Sequence, residues 1–398
     1  MKTLIIITKS YPYAKTEAFL ESEIKVLSKC FEKIIVCPTF FNEFKRETPD
    51  NVYIDNSFLI NRRLKIKVTF IAFVKGLIFK YFFDHLFKIK SINDLKSIIR
   101  YAAYEVHYGK QIKASNTDFE GTIIYSYWFS QAVNALQLYR RKNNFNFKLI
   151  TRAHRWDIYE DMGMFPYRKK TIESIDYLFS ISMHGKNYIQ QRYGNNEKIE
   201  VSRLGIFDHD VLSGVSKDNK FVVLTVAQIT SRKRPFLVLD SIIAFAEKNK
   251  NINVKWVHFG SGNLEEELKS KIKGLAVSNL EISLKGYVLN TDIYEFYKSR
   301  NIDVFMNLSE SEGVPVSIME AQSFGIPVIA TDVGGTSEIV FDSVGVLLKA
   351  SPVKNEVLDA LCYINVSKLS RTLIKKSWNE KSNAQINYTN FVKRLIKL

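Results

Sequence analysis

The chain has 398 residues, enough for two domains of ordinary size, and 46% of them are hydrophobic, enough for real cores. With 57 Lys and Arg against 41 Asp and Glu it carries a net charge of +16 and a pI near 9.4, which favours anionic partners (nucleotides, nucleic acid or acidic lipid) without choosing among them. Three scattered cysteines, Cys30, Cys37 and Cys362, exclude a disulfide framework and a cysteine metal cluster and point to a reducing compartment.

The first expected strand, 4–8, follows Met1-Lys2 at once and is too short for the apolar region of a secretion signal. No stretch of the chain reaches the ~18 apolar residues of a membrane span, so a cytoplasmic location is expected. Lys9-Ser10-Tyr11-Pro12-Tyr13-Ala14 comes next and lacks the Gly-x-Gly-x-x-Gly turn, which argues against a nicotinamide cofactor. After a strand at 34–37, residues 62–100 hold ten Lys or Arg and two Asp among bulky apolar residues. A helix lying in an anionic membrane interface and a core-facing helical insertion with lysines reaching water both meet that pattern. Short continuous apolar runs then predict strands at 122–126, 147–151 and 177–181, as expected where both faces of a parallel sheet are covered. His154 follows the second of these, at the carboxyl end where α/β sheets bind ligands.

A polar stretch, 208–220, reads as a linker, and its Asp208-His209-Asp210 has an Asp-x-Asp form that could hold a divalent ion. Because it follows no strand, it is read as a junction and no metal is expected. Strands at 221–226, 254–259, 282–284, 304–308 and 328–330 continue the alternation with helices. Arg232-Lys233-Arg234 lies in the loop after the first of these, and Gly260 and Gly262 follow the second. His258, just before Gly260, is read as structural.

The segment after 304–308 carries the most chemistry. In Glu312-Gly313-Val314-Pro315-Val316-Ser317-Ile318-Met319-Glu320, Pro315 suits a first helical position, because its missing N–H costs nothing there. The N–H groups of Val316 and Ser317, with the positive end of the helix dipole, would then face an anion such as a diphosphate. Glu312 in the loop and Glu320 in the second turn could each accept hydrogen bonds from hydroxyls. A hydroxyl-rich diphosphate describes a nucleotide sugar.

Residues 304–340, through Gly325-Ile326-Pro327 and Gly334-Gly335-Thr336, resemble the Glu-x7-Glu region of retaining glycosyltransferases of family 4. The resemblance is strong over 221–340 and moderate over 147–206. Near the N-terminus it narrows to Ser10-Tyr11-Pro12, Thr16-Glu17-Ala18-Phe19-Leu20 and Glu23-Ile24, similar to members that build bacterial exopolysaccharides. It implies an α/β GT-B fold of two doubly wound, Rossmann-like domains facing a cleft. An acceptor domain would cover 1–206 and a nucleotide-sugar domain 207–376. Residues 377–398 would form a helix returning to the first domain.

The resemblance also implies site residues. Glu312, His154 and Lys233 would be catalytic, His154 reaching the transferred sugar. The nucleotide sugar would be bound by Glu320, Lys233, Arg232, Gln228, Gly260, Tyr287 and the run Gly313, Val314, Pro315, Val316, Ser317. Gln228 stands where the family has an arginine, which removes a positive fork of donors; Arg232 or Arg234 could compensate. The paired glycines many relatives carry after the first strand are absent. The implied activity is transfer of a sugar from a nucleoside diphosphate to a glycan or lipid-linked acceptor in surface polysaccharide synthesis (capsule, exopolysaccharide or lipopolysaccharide). No metal and no cofactor beyond the donor are expected, and the protein could be peripheral on the inner face of the plasma membrane. An epimerase or phosphorylase of the same fold, or a basic membrane- or nucleic-acid-binding protein, are the alternatives; no nucleic-acid reading element is seen.

Overall fold

Central apolar runs become strands buried along their length. The computed structural model describes residues 3–13, 17–115, 117–367 and 369–398; Met1, Lys2, Ala14 and Thr16 of the sequence reading lie outside them. The first sheet comprises β1 (Thr3–Thr8), β2 (Lys33–Pro38), β3 (Val52–Ile54), β4 (Ile123–Ser126), β5 (Lys148–Ala153), β6 (Tyr177–Ser180) and β7 (Ile199–Val201). All pairings are parallel, in the order β3-β2-β1-β4-β5-β6-β7. The second comprises β8 (Lys220–Val226), β9 (Asn253–Phe259), β10 (Leu280–Leu284), β11 (Val304–Asn307), β12 (Val328–Thr331) and β13 (Gly345–Leu348). Its parallel order is β10-β9-β8-β11-β12-β13. In each sheet the strand order reverses once, between β1 and β4 and between β8 and β11. Crevices outside the carboxyl ends of strands at such reversals are where open α/β sheets bind ligands.

The chain divides into two units, Met1–Arg203 with Ile386–Leu398, and Leu204–Gln385. These limits differ by a few residues from the expected 206/207 boundary, and the return to the first unit comes later than residue 377. The C-terminal region is two helices, Arg371–Ser382 and Ala384–Ile396, in place of one. The stretch expected as a linker is irregular but held: Asp208 pairs with Lys375 at 2.7 Å, His209 stacks on Phe324, and Ser213 N–H donates to the Phe324 carbonyl at 2.9 Å. It is part of the second unit's packing.

Within the first unit a buried ion pair ties helix Ala18–Leu27 to β5. Arg152 donates to Glu23 Oε1 at 2.9 Å, to the Tyr125 hydroxyl at 2.7 Å and to the Ser202 carbonyl at 2.6 Å, and both charged side chains are fully buried. The segment 62–100 forms helices Arg62–Val74 and Leu77–Asp84 and opens helix Ile92–Ala114. Val68, Ala72, Tyr81 and Ile98 pack into the unit's core, so one face of the segment is core-facing. Among the described residues no helix is long and apolar enough to cross a membrane.

Candidate active site

The strand reversal of the second unit brings two loops together. The loop after β8 ends in a 3-10 turn, Ser231–Lys233, and Arg234 at φ +49° turns the chain into helix Pro235–Lys248, whose first residue is the proline. The loop after β11 lies beside it: the Glu310 N–H donates to the Arg232 carbonyl at 2.9 Å. On this frame Lys233 Nζ forms an ion pair with Glu312 Oε1, and Asn307 Nδ2 lies 3.4 Å from the same oxygen. Both charged side chains are largely shielded, at 19% and 15% exposed. Arg234 is occupied elsewhere, donating to the Ala350 carbonyl at 2.8 Å with its Nε 3.5 Å from Glu310. Of the two arginines that could compensate for Gln228, Arg234 is thus committed to the Ala350 carbonyl and Glu310. Gln228 itself is exposed on the loop.

Beyond Glu312 a second loop lies on the backbone. Gly335 N–H donates to the Gly313 carbonyl at 2.6 Å, and a Cβ on Gly334, at φ +59°, would stand 2.0 Å from the Glu312 carbonyl oxygen. Only glycine permits that approach. Helix Val316–Ser323 follows, with Pro315 as its cap. This corrects the expectation for Pro315: its ψ of 114° keeps it extended, and its carbonyl accepts the first helical bond, from Ile318 N–H at 3.2 Å. Val316 and Ser317 precede that bond, so the helix offers their N–H groups no acceptor. Val314 is buried beneath the loop.

Glu320 occupies the second turn and is 4% exposed. Its Oε1 lies 3.1 Å from the Tyr294 hydroxyl and 3.3 Å from Asn290 Nδ2, both on helix Asn290–Ser299. Burial pushes its pKa up to about 7, against the opposing effect of the Tyr294 hydrogen bond. Asn290 and Tyr294 had no signal in the sequence, because nothing there relates 290–294 to a carboxylate some thirty residues on.

Gly260 is constrained by the backbone around it. It bridges to Gly286, and at φ +129° a Cβ there would lie 1.9 Å from the Ala227 carbonyl oxygen. Its glycine is required by the packing of strand ends, before any ligand is considered. Tyr287, next to that bridge, is 56% exposed. His258 is buried, with Nδ1 2.7 Å from the Thr225 hydroxyl, which also accepts from Trp256 Nε1 at 2.9 Å. Burial pulls its pKa down to about 4, which favours the neutral imidazole. A larger cavity, about 790 Å³, lies at the opposite strand ends beside Lys220, Asn253 and Leu280. It shares no residue with the loops described above.

In the first unit, His154 caps the helix Arg155–Ile158 directly after β5, and its backbone N–H donates to the Asp157 carboxylate. Asp157 also accepts the Phe129 N–H at 2.7 Å, which fixes the two loops together. The imidazole is buried against Trp128 and Tyr127, at ring separations of 4.5 and 4.8 Å. Among the described residues neither ring nitrogen has a hydrogen-bond partner. Glu17 sits at the strand reversal of this unit, accepting from Ser10 N–H, Tyr11 N–H and Trp128 Nε1 at 2.6–2.7 Å. That carboxylate organises the loop after β1. Asp208 of the Asp-x-Asp stretch is held by Lys375, which with backbone N–H groups keeps its carboxyl below the usual range despite partial burial.

Residues 211–364 match the family model described as glycosyl transferases group 1. Among curated proteins, the chain is 28% identical over 185 residues to the UDP-Gal:alpha-D-GlcNAc-diphosphoundecaprenol alpha-1,3-galactosyltransferase of Escherichia coli, covering 46% of this chain and 45% of that enzyme. It is 27% identical to the amylovoran biosynthesis glycosyltransferase AmsK of Erwinia amylovora over 36% of each. The chain thus spans less than half the length of these relatives. Solved structures that match its whole length include the apo lipopolysaccharide outer core galactosyltransferase WaaB (TM-score 0.70, 15% identity, 100% of this chain and 99% of that one) and Anabaena HepE with UDP and glucose (TM-score 0.67, 14% identity, 100% of each). The chain has the GT-B fold, and its residues 211–364, which contain Lys233, Glu312 and Glu320, match the glycosyl transferases group 1 model.

Proposed function

We propose that the protein is a retaining glycosyltransferase of family 4 that moves a sugar from a nucleoside diphosphate to a glycan or lipid-linked acceptor during bacterial surface polysaccharide synthesis. The observation that carries this reading is the meeting of Lys233, Glu312 and the first turn of helix Val316–Ser323 at one strand reversal, with Glu320 buried one turn further on. Relatives named for galactosyl transfer and amylovoran biosynthesis support the reaction class and setting.

Breaking the bond between sugar and diphosphate develops negative charge on the leaving phosphate. Lys233, Arg232 and the N–H groups of Val316 and Ser317 form a fixed positive environment for that charge. Glu312, released from Lys233 when the diphosphate takes the ammonium, is free to accept sugar hydroxyls. Glu320 accepts ribose hydroxyls from its buried position. His154 is assigned to the transferred sugar, on its place after β5; its Nδ1 lies 3.9 Å from the Asp157 carboxylate and its Nε2 has no hydrogen-bond partner among the described residues. No described residue of this set is placed as a covalent nucleophile, so the same-face substitution uses the leaving phosphate to assist the acceptor hydroxyl. Gln228, Gly313, Val314, Pro315, Gly260 and Tyr287 shape the surrounding loops.

We further propose that transfer needs no divalent metal, a reading supported by Lys233 beside the first turn of helix Val316–Ser323 and by the pairing of Asp208 with Lys375. The test is transfer to acceptor lipid extracts in EDTA. Activity lost with chelator and restored by magnesium or manganese would overturn this part of the reading and leave the rest standing.

A further inference from the structure

Helix Arg62–Val74 is apolar on two opposite faces. Leu64, Val68, Ile71 and Ala72 turn inward to the first unit's core. On the far side Ile66, Phe70, Phe73 and Val74 recur at i, i+4, i+7 and i+8, one stripe of a helix, and each is more than half exposed. Phe73 meets Phe79 at a ring separation of 5.3 Å, which carries the stripe onto helix Leu77–Asp84, where Phe79 and Phe83 are also at least half exposed. In the following turn Phe87 is 97% exposed. A contiguous aromatic surface of this kind marks a contact site.

Charge identifies the partner. All ten Lys and Arg of 62–100 are exposed, and among the described residues none of them has an ion-pair partner. Elsewhere in this unit arginines are paired, as Arg46 is with Glu21 and Arg140 with Asp176. Of the two acids in the segment, Asp94 is buried and accepts from Lys90 N–H, Ser91 and Met164 N–H, and Asp84 accepts from the Tyr167 hydroxyl. A second copy of this chain would bring ten more cations to the same surface, and like charges set against each other oppose association. Apolar side chains that insert, ringed by cations that meet phosphates, suit a helix pair lying in an anionic bilayer interface.

We propose that helices Arg62–Val74 and Leu77–Asp84 dock the first unit on an anionic phospholipid surface, with the phenylalanines entering the headgroup–acyl boundary. The proposal is independent of the glycosyl-transfer reading, because binding to lipid requires neither donor nor acceptor. The test is co-sedimentation of the full chain with vesicles of phosphatidylglycerol and phosphatidylcholine, or of phosphatidylcholine alone, over a salt series from ~50 to ~500 mM. Expected is strong retention by the anionic vesicles at low salt, falling as salt screens the charges, with a salt-resistant remainder. Exchanging Lys65, Lys67 or Lys75 for Gln should each lower partitioning about fivefold. The double variant Phe70→Ser, Phe79→Ser should remove the salt-resistant remainder; both positions are exposed, and an unchanged unfolding midpoint will show that the fold survives. Equal retention by anionic and neutral vesicles at low salt overturns the proposal. So does a dimer that Phe70→Ser dissociates without any vesicle binding, or capture by single-stranded nucleic acid with none by anionic lipid.

Discussion

Replacing Lys233 by Ala perturbs the candidate site at its centre. In the unliganded chain the ammonium is committed to Glu312, and both side chains are mostly shielded from water. A diphosphate must take the ammonium away from that carboxylate, so the net gain is smaller than the ~4 kcal/mol gross attraction of two unit charges 4 Å apart near a protein surface. One charge-assisted contact is worth about 1.5–3 kcal/mol, which corresponds to roughly 10- to 100-fold in nucleotide affinity. Losing Lys233 also leaves the Glu312 charge unopposed beside the phosphates. The penalty should therefore shrink when Glu312→Gln is already present, so the two changes should be less than additive, by about 1 kcal/mol or more. Titration calorimetry of the four proteins in this cycle, using the nucleoside diphosphate that wild type binds best, measures both quantities. Unchanged affinity and turnover in Lys233→Ala would refute the placement of the diphosphate, and strict additivity would refute the competition between carboxylate and phosphate.

Three further outcomes are expected. Glu320 has a raised folded-state pKa, so its contribution to stability is fully present below the unfolded value near 4.5 and is lost as pH rises to about 7; the shift corresponds to roughly 3 kcal/mol. Urea unfolding at pH 5 and pH 8 should show wild type losing stability over that interval relative to Glu320→Gln, while nucleotide affinity should rise with pH only in wild type, as the carboxylate ionises to accept hydroxyls. Arg232→Ala should weaken nucleotide binding in calorimetry, whereas Arg234→Ala, which loses contacts to Ala350 and Glu310, should lower the melting temperature and leave nucleotide affinity in place. Glu23→Ala leaves Arg152 buried without its carboxylate and should cost about 3–5 kcal/mol in denaturant unfolding, a structural effect that Arg152→Ala should share.

The parts of the fold legible in the sequence were those whose side chains repeat a burial pattern. The runs at 4–8, 122–126, 304–308 and 328–330 became strands within a residue or two, since each lies inside a sheet with both faces covered. The strands not foreseen, Val52–Ile54, Ile199–Val201 and Gly345–Leu348, are three or four residues long and occupy sheet edges, where burial leaves little apolar signature. At the candidate site, loop residues next to a strand end could be named, because the end of an apolar run fixes their position. Partners supplied by distant elements could not: Asn290 and Tyr294 reach Glu320 only because the chain folds helix Asn290–Ser299 against helix Val316–Ser323. Glu23, quoted as part of a polysaccharide-enzyme motif, proved to be the buried partner of Arg152. The segment 62–100 was read as either core or membrane surface because periodicity cannot identify the apolar partner. One face of its helices packs on the core, and the other is apolar and exposed.

If a nucleoside diphosphate binds through Lys233 and Glu320 of the second unit, thermal unfolding in the presence of UDP, GDP and ADP will reveal it. A ligand at 100 times its dissociation constant adds about 2.7 kcal/mol to stability, several degrees in melting temperature for a unit of this size. One of the three should raise the melting temperature of wild type by such an amount, and Lys233→Ala and Glu320→Ala, compared at equal ligand, should lose most of the shift. No shift with any of them, or an undiminished shift in both variants, would contradict it.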